Sequence, residues 1–158
     1  MPLVPPTLAF VCTANMCRSP MAHAIGAAEI ARRGWIIEVP SAGIHDFQGA
    51  MAAREARLTC EAYGTPMPKL LSTWFRALDP ASLVHVLVME HAHAEALRKQ
   101  QFLPVERVRL LGEFDPRQRG FEIQDPIGQD MAAFALCYER LRDCIVGFLD
   151  ATPELGKR

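Results

Sequence analysis

The chain has 158 residues, 50% hydrophobic and 22% charged, and its 17 Lys+Arg against 18 Asp+Glu leave a net charge of −1. That length supports one domain, residues 1–158, with a core of ordinary size, and the composition excludes disordered, collagen-like and disulfide-framework classes. The charge balance argues against a nucleic-acid partner or an anionic membrane surface, while leaving room for one focused anion site.

Pro2, Pro5 and Pro6 make an extended lead-in, and no Lys or Arg precedes Arg18, so the N-terminus does not read as a secretory signal. No run reaches the ~18 apolar residues of a membrane span. The five cysteines are odd in number and not densely spaced. They read as reduced thiols, and the chain as cytoplasmic. Cys60, Cys137 and Cys144 fall in helical apolar patterns and read as buried packing.

Thr7 to Val11 is predicted as a short buried strand, and a helix follows from Ser19 through Met21, Ile25 and Ile30, with Pro20 in its first turn and Gly34 past its end. Trp35 to Val39 is predicted as a second strand, Ser41 to Gly49 as a loop, and Ala50 to Tyr63 as a helix closed by Gly64. Val84 to Met89 reads as a continuous apolar strand, Glu90 to Gln100 as a helix and Val108 to Leu111 as a fourth strand. Asp115 to Gln129 is irregular, and Met131 to Leu149 is a long amphipathic helix. Strands alternating with helices predict α/β architecture, a doubly wound, four-stranded parallel sheet with helices on both faces. Ligands of such sheets bind beyond the carboxyl ends of the strands.

The chain just after the first strand reads Cys12-Thr13-Ala14-Asn15-Met16-Cys17-Arg18-Ser19-Pro20. A short loop between strand and helix can turn successive N–H groups inward as an anion nest, and the helix start adds its partial positive charge. Arg18 can fold over such a cup and fork onto two oxygens of a phosphoryl group. Cys12 would sit at the bottom in a positive field, held as a thiolate and aided by the Ser19 hydroxyl. Asn15 is suited to bracing the loop through side-chain bonds to backbone. Cys-x5-Arg alone is a weak signal; Ser next to it, a strand before and a helix after sharpen it. The competing reading is a phosphate-binding module that binds phosphoproteins without turning them over.

Val11 to Pro20 resembles the loop Val-Cys-x-Gly-Asn-x-Cys-Arg-Ser-Pro of the low-molecular-weight protein tyrosine phosphatases, and the resemblance continues through Ser41-Ala42-Gly43, Met89-Glu90, Leu110-Leu111-Gly112, Phe114-Asp115-Pro116 and Asp125-Pro126. The resemblance implies Cys12 as nucleophile, Arg18 as phosphate clamp, Thr13 to Ser19 as phosphate loop and Asp125 as general acid. It implies no cofactor and no metal. Three Asp-Pro pairs exist, at Asp79, Asp115 and Asp125; residue chemistry alone leaves both later ones open, and the resemblance selects Asp125. It also implies that Cys17 forms a reversible disulfide with Cys12, that substrates are phosphotyrosine proteins, a bacterial tyrosine kinase among them, and that the chain is a monomer.

The departures carry expectations of their own. Ala14 stands where the family usually has Gly, and a positive φ there would strain the loop by about 1 kcal/mol. Phe47 matches an aromatic rim position, whereas Ile127 stands where aromatic residues are common. Relatives resembling protein arginine phosphatases share that pattern but have Thr after the loop Asn; Met16 here suits a flat ring and favours phosphotyrosine. Arsenate reductases of this fold need two further cysteines after the third strand, and Glu90 to Leu103 has none. The five histidines read as surface or core residues.

Overall fold

The computed structural model describes residues 4–157; Pro2 of the lead-in, with Met1, Leu3 and Arg158, lies outside the described residues. Strand β1 (Thr7–Cys12) is buried along its whole length, as its unbroken apolar run predicts. Leu8, Phe10 and Cys12 point into one core and Ala9 and Val11 into the other, so the strand has no solvent face. It pairs in parallel with β2 (Ser41–Gly43) on one side and β3 (Leu83–Val88) on the other; β4 (Val108–Leu110) completes a four-stranded parallel sheet of order β2-β1-β3-β4.

Helices α1 (Arg18–Arg33), α2 (Arg54–Ala62) and α4 (Met131–Ala151) pack together over the Leu8–Phe10 face. Helix α3 (His91–Lys99) and a short 3-10 turn at Phe75–Ala77 cover the opposite face through Leu97 and Phe75. The chain leaves β1 toward one edge of the sheet and β3 toward the other. The carboxyl ends of these neighbours therefore form the switch point where such folds bind ligands. Helix α1 ends where expected, with Gly34 in the left-handed conformation at φ 71°. No helix among the described residues is long and apolar enough to cross a membrane.

Two predicted elements moved. The second strand is not Trp35–Val39 but Ser41–Gly43. Glu38 bridges to Thr7, and its carbonyl accepts from Leu8 N–H at 2.8 Å, so the segment does run beside β1. Pro40 follows; its carbonyl accepts from Phe10 N–H, but it has no N–H to return, and the ladder is interrupted before resuming at Ser41. Helix α2 starts at Arg54 rather than Ala50 because the preceding backbone is bonded elsewhere. Ala50 N–H donates to Ser72 Oγ at 2.9 Å, and Ala53 N–H to the Met16 carbonyl at 2.9 Å.

Candidate active site

The loop 13–17 leaves β1 at Cys12 and enters α1 at Arg18. Carbonyls at both ends of this stretch are taken up by neighbouring segments. Those of Cys12 and Thr13 accept from Ile44 and His45 N–H at 2.9 and 3.0 Å; those of Met16 and Cys17 accept from Ala53 and Met21 N–H at 2.9 and 3.1 Å. Among the described residues, no backbone N–H of Thr13 to Cys17 donates within a turn, loop or cap bond. A row of N–H groups left without protein acceptors, at the start of a 16-residue helix with no acidic residue in its first turn, has the makings of an anion nest.

The left-handed residue of the loop is Asn15, at φ 57°; Ala14 has no positive φ, so the strain expected there is absent. Asn tolerates that conformation better than most residues, and here its side chain is fully used. Nδ2 donates to Ser19 Oγ at 2.7 Å and to Ser41 Oγ at 3.0 Å, and Oδ1 accepts from Thr73 N–H at 3.0 Å. Gly43 explains why Ser41-Ala42-Gly43 ends in glycine. A Cβ there would lie 2.9 Å from Thr13 O, Ala14 C and Asn15 N, so the loop rests directly on the end of β2.

Cys12 Sγ lies 3.0 Å from Ser19 Oγ, which also sits 3.2 Å from the Ala42 carbonyl. Ser19 has one proton, and either the sulfur or that carbonyl can accept it. Burial pushes the thiols of Cys17, Cys60, Cys137 and Cys144 each up to about 12.

Arg18 is only 1% exposed. A guanidinium so buried needs partners, and Nη1 has them: it donates to Glu90 Oε2 at 2.6 Å and to the Ile123 carbonyl at 2.7 Å. Nη2 donates to Thr13 Oγ1 at 3.2 Å and lies 3.5 Å from Asp125 Oδ2, whereas Nε is buried with no protein partner. The expected fork onto two oxygens therefore belongs to the Nε and Nη2 edge, because the Nη1 side is fastened to the protein.

The three Asp-Pro pairs separate cleanly. Asp79 caps a turn through Ala81 N–H at 3.0 Å. Asp115 is buried and tied to Arg140 Nε at 3.0 Å and to the N–H groups of Arg117 and Gln118. Burial raises its pKa, but these bonds outweigh it and hold the carboxyl below the usual range. Asp125 alone stands at the cup, 36% exposed, with Oδ1 accepting from Ile127 N–H at 3.1 Å.

Cys12, Thr13, Ala14, Met16, Cys17, Arg18, Asp125 and Ile127 line a cup of about 160 Å³. That is below the ~300–1,000 Å³ of a drug-sized site, so it suits a head group with the rest of the ligand outside. Asn15 and Ser19 stand behind this wall as braces. Phe47 is 44% exposed on the loop after β2 and is not part of the cup lining. A separate groove of about 350 Å³ lies on the far side of Asp125, against α4.

Two residues of the site are not among those expected from the sequence: Glu90, which is a partner of Arg18, and His93, which is expected only as an ordinary surface or core histidine. His93 is 4% exposed, but its ring lies 2.9 Å from Thr13 Oγ1. The available signal was Glu90-x-x-His93 at the end of an apolar strand, the spacing of a capping box, which the structure forms.

The sequence model of the family described as "Low molecular weight phosphotyrosine protein phosphatase" matches residues 7–157. A Streptomyces coelicolor protein named low molecular weight protein-tyrosine-phosphatase is 35% identical, covering 92% of each chain. A Bacillus subtilis protein-arginine-phosphatase is 27% identical, over 86% of this chain and 89% of its own. The crystal structure of the low molecular weight protein tyrosine phosphatase from T. tengcongensis superposes with a TM-score of 0.84 at 27% identity, covering 92% of this chain and 99% of that one.

Proposed function

The chain belongs to the low molecular weight phosphotyrosine protein phosphatase family, and we propose that it hydrolyses protein phosphotyrosine with Cys12 as nucleophile, Arg18 as phosphate clamp and Asp125 as general acid. The observation that carries this reading is the row of unengaged N–H groups from Thr13 to Cys17, with the unpartnered Nε of Arg18, in the stretch that lines one cup with Cys12.

The Cys12 sulfur, as thiolate, attacks phosphorus in line with the phenolic oxygen. The S–P bond forms as the P–O bond breaks, and the electron pair leaves on the phenolic oxygen, which takes the proton of Asp125 in its acid form. Loop N–H groups and the Arg18 edge hold the three equatorial oxygens without reorganising. The Asp125 carboxylate then takes a proton from water as that water attacks the cysteinyl phosphate, releasing orthophosphate and the thiolate. Ser19 fits both halves, since its single proton can turn from the Ala42 carbonyl to the sulfur whenever the sulfur is anionic.

Met16 and Ile127 give the cup an apolar wall that suits an aryl ring, and this supports phosphotyrosine over phosphoarginine. The test compares phosphotyrosine and phosphoarginine peptides at equal concentration. Faster release of phosphate from the arginine peptide would overturn the substrate assignment. The nucleophile is checked separately with iodoacetate: Cys12 should be alkylated ahead of the four other thiols and be shielded by orthovanadate.

For Cys17 we propose a resolving role. A peroxide converts the Cys12 thiol to a sulfenic acid, the Cys17 sulfur displaces hydroxide from it as water, and a thiol reductant reopens the disulfide. Because burial pushes Cys17 up to about 12, closure is slow. Peroxide-treated protein should lose the mass of two hydrogens and regain activity with dithiothreitol; irreversible oxidation at Cys12 would refute the role.

A further inference from the structure

His93 stands at the first turn of α3, just past the carboxyl end of β3, and the catalytic reading gives it no task. Its two ring nitrogens are both engaged, and the bonds fix the tautomer. Glu90 N–H donates to Nδ1 at 3.1 Å, so that nitrogen carries a lone pair. In the neutral ring the proton is therefore on Nε2, which points at Thr13 Oγ1 at 2.9 Å. Thr13 Oγ1 also accepts from Arg18 Nη2 at 3.2 Å. A hydroxyl has two lone pairs, and here one answers His93 and the other Arg18.

We infer that His93 is a positioning residue that sets the Arg18 guanidinium through the Thr13 hydroxyl. The inference rests on the phosphatase reading above and adds a residue that touches neither substrate nor sulfur. Glu90 and the Ile123 carbonyl hold one terminal nitrogen of Arg18; of the two groups near the other, Thr13 at 3.2 Å is the closer, and Asp125 stands at 3.5 Å. A threonine on a loop turns about its own χ1 unless something anchors its oxygen. The anchor is an imidazole locked by the helix cap beneath it, on a rigid element at the switch point. Burial, with Arg18 next, pushes His93 down to about 4, so the ring keeps this tautomer and adds no second positive charge beside Arg18.

Asparagine and glutamine separate the donor from mere packing. His93→Asn can place an acceptor where Nδ1 is and keep the α3 cap, but it cannot reach Thr13. His93→Gln can place an N–H near Nε2 and keep the Thr13 bond. The readouts are inhibition by orthovanadate, the KM and kcat for an aryl phosphate, and the melting midpoint. The expected result is that His93→Asn weakens vanadate and raises KM about 3- to 10-fold, the range of one lost hydrogen bond, with kcat changed less, and that His93→Gln restores most of both. Thr13→Val should reproduce the loss, and adding His93→Asn to it should cost nothing more; this arm also decides the matter should His93→Asn fail to fold. Unchanged vanadate inhibition in His93→Asn or in Thr13→Val, equal losses in Asn and Gln variants, or additive losses in the double variant would overturn the inference. Wild-type turnover and its loss in Cys12→Ser report on the phosphatase reading itself, so the two can fail independently.

Discussion

On the Thr13–Ser19 side of the cup every polar side chain is tied to a second element: Thr13 to α3, Asn15 to Ser41 at the start of β2 and to Thr73, Arg18 to Glu90 and Ile123, Ser19 to Ala42. On the Asp125 side the carboxylate has one short bond, from Ile127 N–H, and a 3.5 Å approach to Arg18. The stretch that carries it is anchored at Ile123, whose N–H donates to the Met89 carbonyl at 2.9 Å, and again at Asp130, which caps α4. The contrast follows the two tasks. Stabilising developing charge needs donors already in place. Moving a proton to a leaving oxygen, and later taking one from water, needs a group that can reach two positions.

The contrast can be broken at several points. Cys12→Ser should lower aryl phosphate turnover on the order of 10⁴- to 10⁶-fold while leaving the melting midpoint close to wild type; residual activity near wild type would remove the sulfur from the mechanism. Asp125→Ala should lower kcat about 10²- to 10⁴-fold, and the loss should shrink as the leaving phenol becomes more acidic. A loss that ignores the leaving group would deny it the acid role. Gly43→Ala probes the pinned side, since its Cβ would lie 2.9 Å from three loop backbone atoms. It should cost about 1–3 kcal/mol of stability and weaken vanadate binding together with it; denaturant titration beside inhibition assays would show whether the two move as one. Smaller still is the difference between Asn15→Gly and Asn15→Ala. Both lose the same hydrogen bonds, but alanine must also sit at φ 57°, so it should be about 1 kcal/mol less stable.

The last effect is confined to acid pH. His93 is held near 4 in the fold against an ordinary 6.5, by burial first and then by Arg18, opposed by Glu90, Glu122 and Asp125. Between those values the unfolded chain binds more protons than the folded one, so stability rises with pH across that window and is level in this group above it. Denaturation midpoints from pH 4 to 7 should slope less in His93→Asn than in wild type. Equal slopes would show that His93 is not the titrating group.

The alternation of apolar strands with helices was legible because it reflects burial on both sheet faces, which each β1 residue satisfies. The loop was legible because its residue types sit at a spacing that only a strand–loop–helix turn brings together. What escaped were properties of pairs distant in sequence. Pro40 interrupts the second strand only because β1 lies beside it asking for an N–H. Which loop residue turns left-handed was decided by the bonds available to Asn15 from Ser19, Ser41 and Thr73, not by the missing glycine at Ala14. His93 looked like any buried histidine until Thr13 was placed 2.9 Å from it across 80 positions of chain.

The unanswered donors of Thr13 to Cys17 and of Arg18 Nε do not distinguish a phosphate ester from free orthophosphate, which offers the same oxygens. Such an enzyme is inhibited by its own product. The same binding raises its melting temperature as RT ln(1 + [L]/Kd) prescribes, so in phosphate buffer it should be both slower and harder to unfold than in Tris, which carries no oxyanion.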